Sequence, residues 1–124
     1  LSFKLTIGRI AITNCKMSTN EAIAHFKLTN KHALEWLYCF LNNINYAELG
    51  NTSSIATAIN SKIIKSMLIT MPDSSSLSKF HKIAAPIFEE IRNNHGEIES
   101  LQNLRNILLP KLLSGEIPVN QATK

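Results

Sequence analysis

A chain of 124 residues has room for about one domain and no second core of comparable size. Hydrophobic residues make up 44% and charged residues 18%, which is apolar enough to fold and too sparsely charged for disorder; thirteen basic against nine acidic side chains give a net charge of +4, which permits an anionic partner without establishing one. Cys15 and Cys39 have neither the CxxC spacing of a zinc or redox site nor the density of a disulfide scaffold. No apolar run approaches the roughly 20 residues that span a bilayer, and the start lacks the pattern of a signal peptide. The expectation is a cytoplasmic, globular α+β chain with reduced thiols and no membrane contact.

From Ser2 to Thr13, Phe3, Leu5, Ile7, Ile10 and Ile12 alternate with polar or small residues, and the phase slips at Gly8-Arg9. That pattern predicts two short strands around a glycine bend or bulge. The alternation is already running at Leu1, so the chain reads as a piece of a longer protein whose first strand lacks its neighbour. Asn14–Asn20 is turn-like, and Glu21–Leu28, with Ala22, Ala24, Phe26 and Leu28 on one side, predicts a third strand. Asn30 is the right residue to cap a helix carrying Ala33, Leu34, Leu37, Leu41 and Ile44 at helical spacing. Its Trp36, Tyr38 and Phe40 are read as core rather than as stacking platforms for bases.

Leu49–Thr57 is a loop rich in short hydroxyl and amide side chains after a glycine. Asn60-Ser61 caps a short helix containing Ile63 and Ile64, and Met67–Met71 alternates as a last strand before Pro72-Asp73. From Leu77 the pattern becomes a heptad: Leu77, Ala84, Ile91, Ile98, Arg105 and Leu112 at one core position, Phe80, Ile87, Asn94, Leu101 and Leu108 at the other. Only Asn94 and Arg105 of these are polar, which predicts a coiled-coil helix. Pro86 and Pro110 should bend it, Ser74–Ser76 supplies a linker or cap, and Gly115 ends it before Pro118 and a polar tail. The expected organisation is a small mixed β/α domain over residues 1–73, a long helix over 74–115 and a tail over 116–124.

No catalytic motif is present. There is no phosphate loop and no nucleophile elbow, and His25, His32, His81 and His95 fall on different predicted elements without metal-ligand spacing. Glu89, Glu90, Glu97 and Glu99 sit on the outward face of a long helix, outside any cleft that would suit them to acid–base work, and Cys39 on an aromatic helix reads as a small hydrophobe. No cofactor, no metal and no enzymatic activity are expected.

The ending Leu101–Ile117, LQNLRNILLPKLLSGEI, resembles the distal-helix signature of type I restriction–modification specificity subunits. Upstream, Thr6–Ile12 resembles the family's strand turn, with Leu5 where a glycine is usual. Ser18–Ile23 resembles its asparagine-glutamine segment with Glu21 in place of the amide, and Gly50–Ser54, Ile59–Lys62 and Ile69–Pro72 resemble the loop, short helix and final strand before the spacer helix. The resemblance covers Phe3 to Ile117. It implies the last part of one target-recognition domain, with its upstream half missing, plus one spacer helix. A non-catalytic subunit would then recognise half of a bipartite double-stranded DNA site and dock the modification (methyltransferase) and restriction subunits. On that mapping Lys4, Arg9 and Lys16 approach phosphates, and Asn51, Thr52, Ser53 and Ser54 offer groups that read base edges. Phe80, Ile87, Ile91, Ile98, Leu101, Leu108 and Leu112 bury against a partner helix, with a homodimer expected. The alternative is a coiled-coil dimerisation scaffold with no DNA specificity of its own, since the heptads outweigh the small net charge.

Overall fold

The computed structural model describes residues 1–4, 6–49, 51–53 and 56–118, with the backbone alone over 51–53 and 56–58. It divides into two compact units, Leu1–Pro86 and the residues from Ile87 onward. In chain order the elements are a 3₁₀ turn at Lys31–Ala33, helix α1 (Leu34–Asn42), helix α2 (Tyr46–Leu49), strands β1 (Asn51–Ser53) and β2 (Ala56–Ala58), helix α3 (Ser61–Ser66) and helix α4 (Ser74–Leu113).

The expected α+β class is overturned, because the regular structure is helical. The sole ladder among the described residues is the antiparallel pair β1–β2, three residues a side, with Asn51 opposite Ala58 and Ser53 opposite Ala56. Among the described residues none of the segments predicted as strands, Ser2–Thr13, Glu21–Leu28 and Met67–Met71, forms one. Their alternation acts on burial, and only in part, since Ser2 is buried between Leu1 and Phe3 and Met71 is exposed. Leu1, Phe3 and Ala22 are buried, while Leu68 is 92% exposed beside the half-buried Met67 and Ile69. Period-two patterning says which side chains turn inward, and a ladder additionally needs a neighbour for every second amide. Here the first segment finds a single bridge, Ser2 to Ile23, flanked by the Phe3 amide on the Ala22 carbonyl (3.0 Å) and the Ala24 amide on the Leu1 carbonyl (2.8 Å).

The glycine bend is real. Gly8 has φ +85°, a conformation L side chains avoid, and a Cβ there would lie 2.9 Å from Cδ2 of Tyr46. The turn is closed by the Ser2 amide on the Arg9 carbonyl (2.8 Å), the Gly8 amide on the Ser2 carbonyl (3.0 Å) and a Ser2–Thr6 hydroxyl pair (3.0 Å). Tyr46, against which the turn packs, is buried and donates its phenolic hydrogen to the Leu41 carbonyl at 2.8 Å; burial also raises its pKa above the ordinary value. Leu1, Phe3, Tyr46, Ile59 and Ile64 form one core cluster, with Ile7, Ile10, Phe26 and Ile44 packed on it.

The helix ends are written in local chemistry. The Asn30 side chain accepts from the His32 amide at 3.0 Å, opening the 3₁₀ turn that feeds α1. Asn60 accepts from the Lys62 and Ile63 amides at 2.9 and 3.1 Å, opening α3. At the start of α4 the cap is Asp73, whose carboxylate accepts from the Ser75 and Ser76 amides at 2.9 Å each; the hydrogen bonds from Ser76 hold its pKa below the ordinary carboxylate value. The helix then runs unbroken through Pro86 and Pro110. It stops at Gly115 (φ +76°), where the Ser114 amide reaches the Pro110 carbonyl (2.9 Å) and the Ile117 amide the Lys111 carbonyl (3.2 Å). Forty residues at 1.5 Å make α4 about 60 Å long. Among the described residues no helix is apolar enough over its length to cross a membrane.

Candidate nucleic-acid interface and helical seam

The basic residues singled out near the chain start are all exposed, but they are not equivalent. Lys4 lies next to the buried Phe3 and its ammonium donates to Glu21 Oε1 at 3.0 Å. That contact, first through the hydrogen bond itself, lowers the Glu21 pKa. Glu21 thus stands where the resembled pattern has an amide, and it takes up the charge of Lys4. Arg9 follows the Gly8 turn, its backbone fixed by bonds from Ser2 and to Thr6, and Lys16 lies in the irregular segment beyond it.

Asn51, Thr52 and Ser53 form β1, so the loop expected from sequence is a hairpin with two residues between its strands; Ser54, one of those two, lies outside the described residues. The hairpin runs directly into Ile59, which is 5% exposed in the same core cluster as Phe3. One core therefore holds both Ile59, which follows the hairpin, and the segment that carries Lys4.

A site that sequence reasoning missed lies where α4 begins. Glu35 on α1 is only 5% exposed, and its Oε2 is 2.8 Å from Nδ1 of His81 on α4. The His32 ring stacks on His81 with centroids 4.4 Å apart and planes at 20°. Two of the four histidines do converge, across a gap in sequence that no local pattern reports. Parallel stacking points their ring nitrogens into separate planes, and among the described residues no group of three could hold a metal. What the arrangement does is satisfy a buried carboxylate and tie the first turns of α4 to α1. Trp36 and Phe40 are half-buried and stack on each other, centroids 5.0 Å apart. An apolar groove of about 200 Å³ lies in the same unit, lined by Ile10, Ile12, Phe26, Leu37 and Tyr38 among others, with the Thr19 hydroxyl 2.6 Å from His25 Nε2.

The heptad stripe of α4 divides between two duties. Leu77 and Ala84, assigned to the seam by their spacing, are buried in the first unit at 3% and 7% exposure. With 100° per residue, they and His81 lie within about 60° of one another, while Phe80, Ile87 and Ile83 are turned about 65°, 85° and 125° from the centre of that face. That second stripe is the exposed one. Phe80 is 37% exposed, Ile87 57%, Ile91 49%, Ile98 49%, Leu101 56% and Leu112 38%, with Leu108 half-buried, and no residue from Ile87 to Leu113 is buried. Exposed apolar side chains recurring every three to four residues over such a length are unusual for a surface that faces only water.

No family model matches the chain, and no solved structure matches it. Two relatives do. The specificity subunit of the type I restriction enzyme MjaIX from Methanocaldococcus jannaschii is 35% identical over 98 residues, covering 76% of this chain and 22% of the relative. The specificity subunit of the type I restriction enzyme HindI from Haemophilus influenzae is 29% identical over 116 residues, covering 90% of this chain and 25% of the relative. The chain spans about a quarter of the length of either.

Proposed function

Over most of its length this chain is homologous to the specificity subunits of type I restriction enzymes, and from that premise we propose that it is a non-catalytic DNA-recognition piece of such a system. Residues 1–73 contribute part of a target-recognition domain that reads half of a bipartite double-stranded site. Residues 74–115 form the spacer that pairs with another helix, a second copy of the chain being the partner, and docks the modification and restriction subunits; residues 116–124 are a tail. The assembly works in the cytoplasm, where its DNA is.

The single observation that carries this reading is the extent of the homology, which takes in 76% of the chain in one relative and 90% in the other. The exposure of Arg9 and Lys16, and the core that holds both Phe3 beside Lys4 and Ile59 after the hairpin, support phosphate contacts beside a base-reading loop. The test is fluorescence anisotropy of the full chain on labelled duplex at salt concentrations between about 50 and 200 mM. Affinity falls steeply with salt, and Arg9→Ala or Lys16→Ala each lowers the log–log slope by about one. Lys4→Ala lowers it less, because Glu21 already holds that ammonium. Binding no tighter than to an uncharged polymer at the lowest salt would leave the scaffold reading in its place.

A further inference from the structure

Glu35, His81 and His32 can share protons in three ways, and each grips the start of α4 differently. We infer that the cluster is a proton-counting latch, which holds the first turns of α4 on α1 most firmly when the two imidazoles carry one proton between them. The contacts all lie inside Leu1–Pro86, and the latch works whether or not the chain recognises DNA.

The Glu35 side chain is 6% exposed, and its Oε2 lies 2.8 Å from Nδ1 of His81. A carboxylate accepts, so Nδ1 carries a hydrogen in every state of this bond, and the proton that comes and goes does so at Nε2. The His81 side chain is 28% exposed, open enough to exchange with water. With no extra proton, a neutral ring covers a buried anion. With one proton on His81 the same hydrogen bond becomes an ion pair, stronger by its charge, and the neutral His32 ring lies against the imidazolium at 4.4 Å. A second proton, on His32, sets two cations face to face at that distance, and one carboxylate cannot neutralise both.

The surroundings sharpen the count. His32 is held in place by its own amide, which donates to Asn30 Oδ1 at 3.0 Å. Leu77 and Ala84, about one turn to either side of His81, are buried, so the three form the face by which α4 is attached. Among the described residues no second carboxylate is bonded to the cluster; Lys31 beside His32, and Lys79 and Lys82 around His81, are exposed and add positive charge. Tyr38 and Cys39 are the titratable side chains on the next turn of α1. Once the latch opens, the two rings bind protons independently. Above about pH 6.5, the ordinary imidazole value, the closed form holds more protons than the open one, and acidification tightens it. Below that it holds fewer, and further acidification loosens it. The Asp73 cap at the head of α4 gives way only below about pH 4, outside this window.

The test is amide hydrogen exchange of the full chain by NMR between about pH 8 and 5. Protection at Ser78–Ala84 is read relative to the Ile64 amide of α3, which is held by the Asn60 carbonyl. Relative protection passes through a maximum and then falls on the acid side by a factor of roughly five or more, the repulsion of two unit charges at the 4.4 Å ring separation even in a water-like medium. His32→Phe keeps an aromatic ring on His81 and abolishes the acid limb, whereas Glu35→Gln keeps the side-chain shape and abolishes the alkaline limb. Imidazole ¹⁵N shifts count the protons directly: the two rings titrate as a coupled pair in two steps, and His81 in a single step in His32→Phe. A flat profile, an acid limb that survives in His32→Phe, an alkaline limb that survives in Glu35→Gln, or rings that titrate independently in the folded chain overturns the latch. Should Glu35→Gln fail to fold, the ring shifts of the unsubstituted chain and the profile of His32→Phe, altered only at an exposed side chain, decide the matter.

Discussion

The first unit and the distal length of α4 are both helical, yet they treat their apolar side chains in opposite ways. Up to Pro86, Leu1, Phe3, Leu37, Leu41, Tyr46 and Ile64 are all buried, and the turns between them are fixed by specific backbone bonds. From Ile87 on, isoleucines and leucines at the same density stand about half exposed. One region carries the partners for its own hydrophobic surface, and the other presents that surface in the form a second helix can use. Regular structure and self-sufficiency are separate properties: a ladder of intrahelical bonds can be complete while the burial that stabilises it is supplied from outside.

The sharpest way to break this comparison is a matched pair of truncations. Leu41→Ala should lower the unfolding free energy by about 2–5 kcal/mol, as for a fully packed leucine. Ile98→Ala in dilute protein should cost less than about 0.5 kcal/mol, a cost that grows with protein concentration on the proposal that α4 pairs. Denaturant titrations at two concentrations read both, and equal costs in dilute protein would dissolve the distinction. Next in size is Gly8→Ala, expected to lose about 1–3 kcal/mol for a strained φ, because the new methyl also meets the Tyr46 ring at 2.9 Å. The same titration measures it, and a neutral result would mean that the turn does not hold the N-terminal segment on the core. Gly96 has open space at its Cβ position and a helical backbone. Gly96→Ala should therefore raise α4's helix content and add about 1 kcal/mol, seen by circular dichroism without altering the partner of the seam.

The smallest effect is at Asp73. Its folded pKa is depressed, so the stability it gives to the first turn of α4 is present above the unfolded value and lost as pH falls from about 4 through the folded value. Asp73→Ala should flatten the stability profile in that window alone, leaving it unchanged near neutrality apart from a constant offset.

How much of this was legible in the sequence depends on the range of the interaction. The caps Asn30 and Asn60 and the stop at Gly115 were readable because a side chain and the amides it serves lie within a few residues. The long helix was readable because a heptad repeats its message many times. The strands were misread because alternation specifies an inward face and leaves the ladder partner unspecified; Phe3 and Ala22 are buried as their pattern requires, in segments that share one bridge. Glu35 and His81 lie 46 residues apart, and nothing local announces their bond. The split of the heptad stripe was invisible for a related reason. Spacing shows that Leu77, Ala84, Ile87 and Ile91 share a broad apolar face, and only the folded first unit decides that the first two belong to it. Of the residues proposed for recognition, the exposure of Lys4, Arg9 and Lys16 follows from their charge, while the pairing of Lys4 with Glu21 needed the fold to bring two distant segments together.

Because α4 is bounded by a carboxylate that opens it and a left-handed glycine that closes it, its length is a number the sequence can edit only in certain units. Inserting seven residues after Gly96 would add about 10 Å and return every seam residue to its former azimuth within some 20°. Inserting five would swing everything beyond the insertion by about 140° and scatter one groove onto two sides. Such a helix can be lengthened without turning its apolar face only by insertions that complete near-whole turns, such as seven or eleven residues, so its tolerated lengths are discrete.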